Sequence, residues 1–297
     1  MDMNLGTLMT QYRGDAQCRA CLESLRWKGT VTCLRCGSAR ISPLPTRHQH
    51  HCLECHYQFT VTAGTIFQDS HLPLWKWFAA TYMMIESKKS MSANQLKRTL
   101  DVSYKTAWYL CHRIRAAMHD ANPALLDGIV EVDETYVGGR KRGIGSGNYR
   151  DYKTAVIGAV KRGGGVRLKV INKGDKKTLH GFVKNVTKPE TEAIYTDENA
   201  GYFGIGDDDT RHETVNHSAG EYVRADVHTN AVEGVWSLFK RSIIGAYHQI
   251  SAKHMDKYLD EQAWRFSGRR NPYLFRDTLL KLLDAKAVPF KQLVNGE

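Results

Sequence analysis

With 297 residues, 42% of them hydrophobic and 25% charged, the chain has the composition of an ordinary globular protein, long enough for two domains or one large domain with appendages. Its net charge of +11 is not ordinary and raises the expectation of a polyanionic partner. No run approaches the roughly 18 uninterrupted apolar residues of a membrane-spanning helix, which excludes a helical membrane span.

The opening residues, MDMNLGTLMTQYRGDAQ, lack an apolar signal core. The expected location is therefore the cytosol. Seven cysteines follow, six of them in three Cys-x-x-Cys pairs before residue 56, a spacing that points to metal rather than disulfides in a reducing compartment. Cys33-x-x-Cys36 and Cys52-x-x-Cys55 flank a 15-residue segment, the length expected of a four-cysteine zinc site. Two tight turns each supply two thiolates to a tetrahedral Zn²⁺, and Gly37 gives one turn a residue free to take positive φ. Tyr57 and Phe59, followed by TVT, suit a short strand. A closed set of four thiolates leaves no open position, so this zinc is structural. Cys18 and Cys21 either replace one of those pairs or sit free as small buried residues. His48, His50 and His51 are alternative ligands or surface residues near DNA. Residues 1–65 thus form a zinc ribbon.

Residues 66–124 read as helices. LPLWKWFAATYMMIES is amphipathic, with Trp75, Phe78, Ala79, Tyr82 and Met83 on or near one face. Ser92 caps a helix over ANQLKRTL, Asp101-Val102-Ser103 makes a turn, and a second helix starts near Tyr104 with Ala107, Leu110, Cys111 and Ile114 inward. That is helix-turn-helix grammar. Tyr104, Lys105 and Thr106 open the second helix, where groove-contacting residues belong, and Arg113 and Arg115 extend the positive charge. A plain helical hairpin with solvated charges is the competing reading.

ANPALLDG, at 121–128, marks a boundary, and residues 125–297 form the catalytic domain with a terminal helix and tail. GIVEVDETYVGG is a strand with Glu131 and Asp133 on one face and Asp133 near its end; Glu134 points to the other face. A polar loop, GGRKRGIGSGNYRDY, follows. TAVIGAVKRGGGVRLKVIN then gives two strands around a Gly-rich turn, and KTLHGFVKNV a short helix. EAIYTDENAGY is a strand with Asp197 where it runs out. HTNAVEGVWSLFKRSIIG is a helix with Val232, Val235, Trp236 and Phe239 as its buried stripe. Three strands, a helix, a strand and a helix match the mixed-sheet α/β design of ribonuclease H-like nucleases. Three convergent carboxylates, Asp133, Asp197 and Glu233, can hold a pair of Mg²⁺ (or Mn²⁺) ions roughly 3.5–4 Å apart, as phosphodiester cleavage requires. Asn230, three residues before Glu233, shares its helix face. Lys240, two turns on, can reach a phosphate, with Arg241 beside it. His228 either assists or caps the helix.

RWKGTVTCLRCGS, FTVTAGTIFQDSHLPLWKWF, VEVDETYVGG, YTDENAGY and VHTNAVEGVWSLFKRSIIGAYHQISAKHMDKYLDE together resemble the signatures of bacterial insertion-sequence transposases of the DDE type, those joining a zinc ribbon to an ISXO-type transposase-like domain. The resemblance covers nearly the whole chain; Cys21 departs from it. It implies binding to terminal inverted repeats, cleavage by water at the element's ends, and attack of the freed 3′-hydroxyl on target DNA. It assigns Asp133, Asp197 and Glu233 as catalytic ligands and Lys240 as a DNA-contacting helper. Pairing two ends implies a homodimer or larger assembly on DNA. The alternatives are a metal-dependent nuclease without strand transfer and a non-catalytic DNA-binding derivative.

Overall fold

The computed structural model describes residues 3–138 and 153–295, so the polar loop expected after Gly138 lies outside the described residues. The chain forms two compact units: Met1–Ser87 with Met91–Met118 and Asn271–Glu297, and Lys88–Ser90 with His119–Arg270.

The first unit opens with two helices that the sequence reading missed, α1 (Leu5–Gln11) and α2 (Asp15–Trp27). Asn4 caps α1 by accepting from Thr7 N–H, and Lys28, at φ 48°, ends α2. Cys18 and Leu22, one turn apart on α2, are fully buried. β1 (Ile41–Leu44), β2 (Gln49–Cys52) and β3 (Gln58–Phe59) form an antiparallel sheet in sequential order. α3 (Leu74–Glu86), α4 (Ala93–Leu100) and α5 (Tyr104–Ala117) follow. Ser92 accepts from Gln95 N–H and Ser103 from Thr106 N–H, so both helix starts lie where the sequence placed them. The α3 face differs from expectation. Trp77, Phe78, Thr81, Met84 and Ile85 are buried, and Trp75, Ala79, Tyr82 and Met83 only partly so. The reason is that α3 packs on several sides, against α2, α4 and α5, so no single stripe defines its interior.

The second unit holds β4 (Ile129–Val137), β5 (Thr154–Lys161), β6 (Val166–Ile171), α6 (Lys176–Val186), β7 (Ala193–Thr196), β8 (Arg211–Thr214), α7 (Asn230–Ser242) and α8 (Met255–Gly268). The sheet order is β6-β5-β4-β7-β8. The first three strands pair antiparallel, while β4–β7 and β7–β8 pair parallel. This is the ribonuclease H-like mixed sheet, with β8 an addition to the strands expected. Alternation splits the core in two. Val130, Val132 and Ile157 pack with Leu179, Phe182 and Val183 of α6; Val137, Val156 and Val160 pack with Val232, Val235, Trp236 and Phe239 of α7 and Leu259 of α8.

The carboxy-terminal helices α9 (Leu274–Asp284) and α10 (Phe290–Asn295) do not extend the sheet unit, to which the sequence reading assigned them. α9 packs on α2, α3 and α5 in the first unit, with Phe275 against Tyr12, Phe78 and Tyr82. An aromatic, apolar helix goes to the surface that buries it, whatever its distance along the chain.

Candidate functional site

Asp133 is the central residue of β4 rather than near its end. What ends beside it is the parallel pairing with β7, whose last register partners are Glu131 and Tyr195. Continuing that register by two residues sets Asp197 alongside Asp133. The position lies past the carboxyl end of β7, where strand order reverses between β4 and β7, the usual place for a ligand on an open α/β sheet. Asn199 N–H donates to Asp197 Oδ1 at 3.1 Å, and Asn199 Nδ2 donates to Glu134 Oε1 at 2.9 Å. Glu134 also accepts from Tyr202 Oη. It therefore belongs to the α6 side of the sheet, as expected.

α7, which carries Glu233, is fastened to β4 at two points. The Glu131 side chain is fully buried. Its Oε2 accepts from the backbone N–H groups of Ala231 at 2.6 Å and Val232 at 3.2 Å, while Oε1 accepts from Arg162 Nε at 2.7 Å. A carboxylate at a helix start satisfies orphan donors and complements the helix dipole. Arg162 also donates to His228 O at 3.1 Å, and His228 Nδ1 lies 3.2 Å from Glu131 Oε1, so His228 belongs to this anchor. The second point is Trp236, whose Nε1 donates to Asp133 Oδ2 at 3.0 Å. Asp133 faces Gly158 across the β4–β5 ladder, and a Cβ at Gly158 would come within 2.7 Å of the Trp236 ring. The glycine makes the room that the indole occupies.

Glu233 is exposed on α7 with Asn230, Gly234, Ser237, Lys240 and Arg241. Its Oε1 accepts from Thr229 Oγ1 at 2.9 Å and lies 3.8 Å from His217 Nε2. Burial raises the Asp197 carboxyl, and His217 is among the neighbours that oppose that rise. It is therefore placed to influence both acids. Glu198, the acidic neighbour of Asp197, accepts from His217 N–H, Ser218 N–H and Ser218 Oγ, and is held down at about 2 chiefly by the Ser218 hydroxyl.

Burial, then Asp197, then Glu134 push the Asp133 carboxyl up to about 7. Burial likewise raises Asp197. Like charges gathered in a desolvated site stay ionised only if a cation arrives, and carboxylate oxygens are the hard donors Mg²⁺ prefers. The residues therefore fit divalent cations. Among the described residues, only the four ribbon cysteines have ligand atoms all within 4.8 Å of one another, so the three carboxylates are set more widely. Two ions about 4 Å apart, each bonding oxygen at about 2.1 Å, leave room for outer ligands up to roughly 8 Å apart.

The ribbon thiols fit zinc closely. Cys33 and Cys55, and Cys36 and Cys52, have Sγ atoms 3.5 Å apart, near the roughly 3.8 Å edge of a tetrahedron with 2.3 Å Zn–S bonds. Gly37 takes φ 75° in the first turn and His56 takes φ 55° in the second. The Cys18–Cys21 pair is not in the cluster. His50 pairs with Glu23 at 3.2 Å and packs against Trp27 and Phe59.

In the helix-turn-helix, Tyr104 and Lys105 are exposed and Thr106 is half-buried against Ser103. Arg113 and Arg115 are not on the surface as expected; only 3% and 2% of each is exposed. Beyond its first turn α5 is enclosed, and the Arg113 guanidinium donates to the carbonyls of Ile66 and Gln68 between the rings of Trp77 and Tyr109. Sequence reasoning had no means to place Trp236, Arg162, His217 or Asn199 at the site. One signal was available: a glycine inside the apolar strand AVIGAV marks a close approach.

Residues 125–267 match a family model described as an ISXO2-like transposase domain, and residues 13–58 match one described as a transposase zinc-ribbon domain. A protein of Halobacterium salinarum, described as an uncharacterized protein in transposable element ISH50, is 31% identical over 256 residues, covering 80% of this chain and 86% of its own length. A chain in the cryo-EM structure of a simian T-cell lymphotropic virus intasome in complex with PP2A regulatory subunit B56 gamma matches 58% of this chain and 63% of that chain, under two thirds of its length, at 13% identity and a TM-score of 0.30. At that score the shared structure is too slight to bear on fold or function.

Proposed function

The chain belongs to the ISXO2-like transposase family, and we propose on that basis that it is the DNA transposase of an insertion sequence. In this reading it binds the element's terminal inverted repeats, cleaves the DNA ends with water, and joins the freed 3′-hydroxyl to target DNA. The observation that carries the chemistry is the pairing of Asp133 with Asp197, desolvated neighbours past the end of the β4–β7 ladder, beside a helix anchored to the same strand.

Asp133, Asp197 and Glu233 would hold the Mg²⁺ or Mn²⁺ ions. When bound, such ions lower the pKa of the attacking water or hydroxyl and offset charge on the leaving oxygen. The chain's own residues supply position. Trp236 holds Asp133 through Oδ2. Glu131 and Arg162 set where α7, and with it Glu233, begins. Lys240 and Arg241, exposed on α7, offer charge to DNA phosphates. Tyr104, Lys105 and Thr106 contact DNA at the start of α5, and a structural zinc holds the ribbon. Two ends must be joined, so the working form is a homodimer or larger complex on DNA, in the cytoplasm at the nucleoid. No membrane is involved.

The test is a strand-transfer assay with a duplex bearing the inverted repeat that flanks the gene, run with Mg²⁺ or Mn²⁺. Joined product is expected, and Asp133→Ala should abolish it while leaving DNA binding nearly intact. Cleavage without joining would indicate a nuclease. A shifted band without chemistry would indicate a binding protein.

A further inference from the structure

Each of the three acids has one carboxylate oxygen held by a neighbour. Asp133 Oδ2 accepts from Trp236 Nε1, Asp197 Oδ1 from Asn199 N–H, and Glu233 Oε1 from Thr229 Oγ1. Thr229 lies one helical turn before Glu233, so its bond fixes that acid relative to α7 alone. The Glu233 side chain is 47% exposed. A long side chain half in water keeps several rotamers unless a second element restrains it.

His217 is the group from a second element that reaches it. Its Nε2 lies 3.8 Å from Glu233 Oε1. That nitrogen is buried and, among the described residues, has no hydrogen-bond partner. Buried polar atoms are almost always paired. A shift of about 1 Å in the exposed Glu233 side chain closes the gap to an ordinary hydrogen bond. The imidazole is itself held in place. Glu198 accepts His217 N–H at 2.9 Å and Ser218 N–H at 3.1 Å, which ties the turn His217–Ala219 to the residue after Asp197. Val215 N–H donates to Thr196 O at 3.1 Å, so the chain leading into that turn is joined to the end of β7 as well. The Tyr222 ring packs against the imidazole, centroids 5.1 Å apart.

We propose that His217 is a positioning residue: donating from Nε2 to Glu233 Oε1, it ties Glu233 to the strand end that carries Asp197 and leaves Oε2 for a divalent cation. The proposal rests on the reading that Asp133, Asp197 and Glu233 hold the metal, and adds the group that sets the last of them. Glu131 and Trp236 join α7 to the strand of Asp133. His217 supplies the matching tie to the strand of Asp197. Carboxylates that ligate metals are hydrogen-bonded in turn, and losing such an outer partner typically costs about 10–100-fold in metal affinity.

The test is Mn²⁺ binding by the full chain with its ribbon zinc in place, followed by the electron paramagnetic resonance of free Mn²⁺. The proteins are the unaltered chain, His217→Ala, His217→Gln, Glu233→Ala, Asp133→Ala and the double variant carrying His217→Ala and Glu233→Ala. His217→Ala should weaken binding about tenfold or more. His217→Gln keeps an N–H donor and should recover most of the loss, and it keeps the test open if the alanine variant loosens the turn. In the Glu233→Ala background the loss of His217 should change nothing further, because it acts through that carboxylate. Equal affinity for the unaltered chain and His217→Ala would overturn the proposal. So would a further loss in the Glu233→Ala background, or a glutamine variant as weak as the alanine one. If Asp133→Ala binds Mn²⁺ as tightly as the unaltered chain, the cation site itself is misassigned and the inference falls with it.

Discussion

Glu131 Oε2 accepts the backbone N–H of Ala231 at 2.6 Å, so the strand that carries Asp133 holds the first turn of the helix that carries Glu233. The Glu131 side chain is fully buried, and Arg162 balances its charge. A helix pinned at its start and again at Trp236 can neither slide nor turn relative to β4. The spacing of the two backbone positions is then set by the fold.

Glu131→Ala should destabilise the chain by about 3–5 kcal/mol, because it strands the partly buried Arg162 and two helix-start N–H groups. Glu131→Gln, which keeps an acceptor, should cost less. Urea denaturation measures both. A loss under about 0.5 kcal/mol for the alanine variant would show that the anchor is unimportant.

Gly158→Ala should be worse than its size suggests. The new methyl would stand 2.7 and 2.8 Å from two Trp236 ring carbons, and a rigid ring cannot yield as a flexible chain end does. Overpacking of this kind costs about 1–3 kcal/mol. Displacing the indole also removes its hydrogen bond to Asp133. Cleavage should slow while DNA affinity holds, which a gel shift and a cleavage time course would separate.

Asp133 gives the metal-free chain a pH signature. Its carboxyl is pushed from 3.8 up to about 7 by burial, Asp197 and Glu134. Between about pH 4 and 7 the folded chain keeps a proton that the unfolded chain has released, so stability falls as pH rises through that window and the loss is complete above it. Asp133→Asn should match the unaltered chain at pH 4 and exceed it at pH 8, by on the order of 3 kcal/mol. Mg²⁺ should restore stability to the unaltered chain at pH 8 and not to the variant. Thermal melts at two pH values decide it.

The ribbon should carry one zinc per chain by elemental analysis. Cys52→Ala, which removes a buried thiol of the cluster, should lose the metal and loosen the Trp27–Phe59 packing beneath it. Zinc binding and folding are linked in sites of this size, so a chelator should mimic the mutation. Tryptophan fluorescence would report the change.

Salt dependence should sort the cations. Lys105→Ala and Lys240→Ala each remove an exposed charge and should lower the salt slope of DNA binding by about 1. Arg113→Ala should leave the slope unchanged and instead reduce stability, because its guanidinium is spent on the carbonyls of Ile66 and Gln68. Affinity titrations from low to moderate salt distinguish the two behaviours.

Local rules were enough to read much of this protein from its residues. Paired thiols declared the ribbon, Ser92 declared its helix start, and alternation in IVEVDETYV separated Glu131 and Asp133 from Glu134. These signals span a few residues, and backbone geometry converts them directly into structure. Long-range packing followed no such rule. The register that brings Asp197 beside Asp133, the return of α9 to the first unit, the burial of Arg113 and the place of Trp236 above Gly158 join positions 47 to 263 residues apart. Such partners are chosen by which surfaces fit and exclude water once the whole chain has collapsed, a choice no short stretch contains.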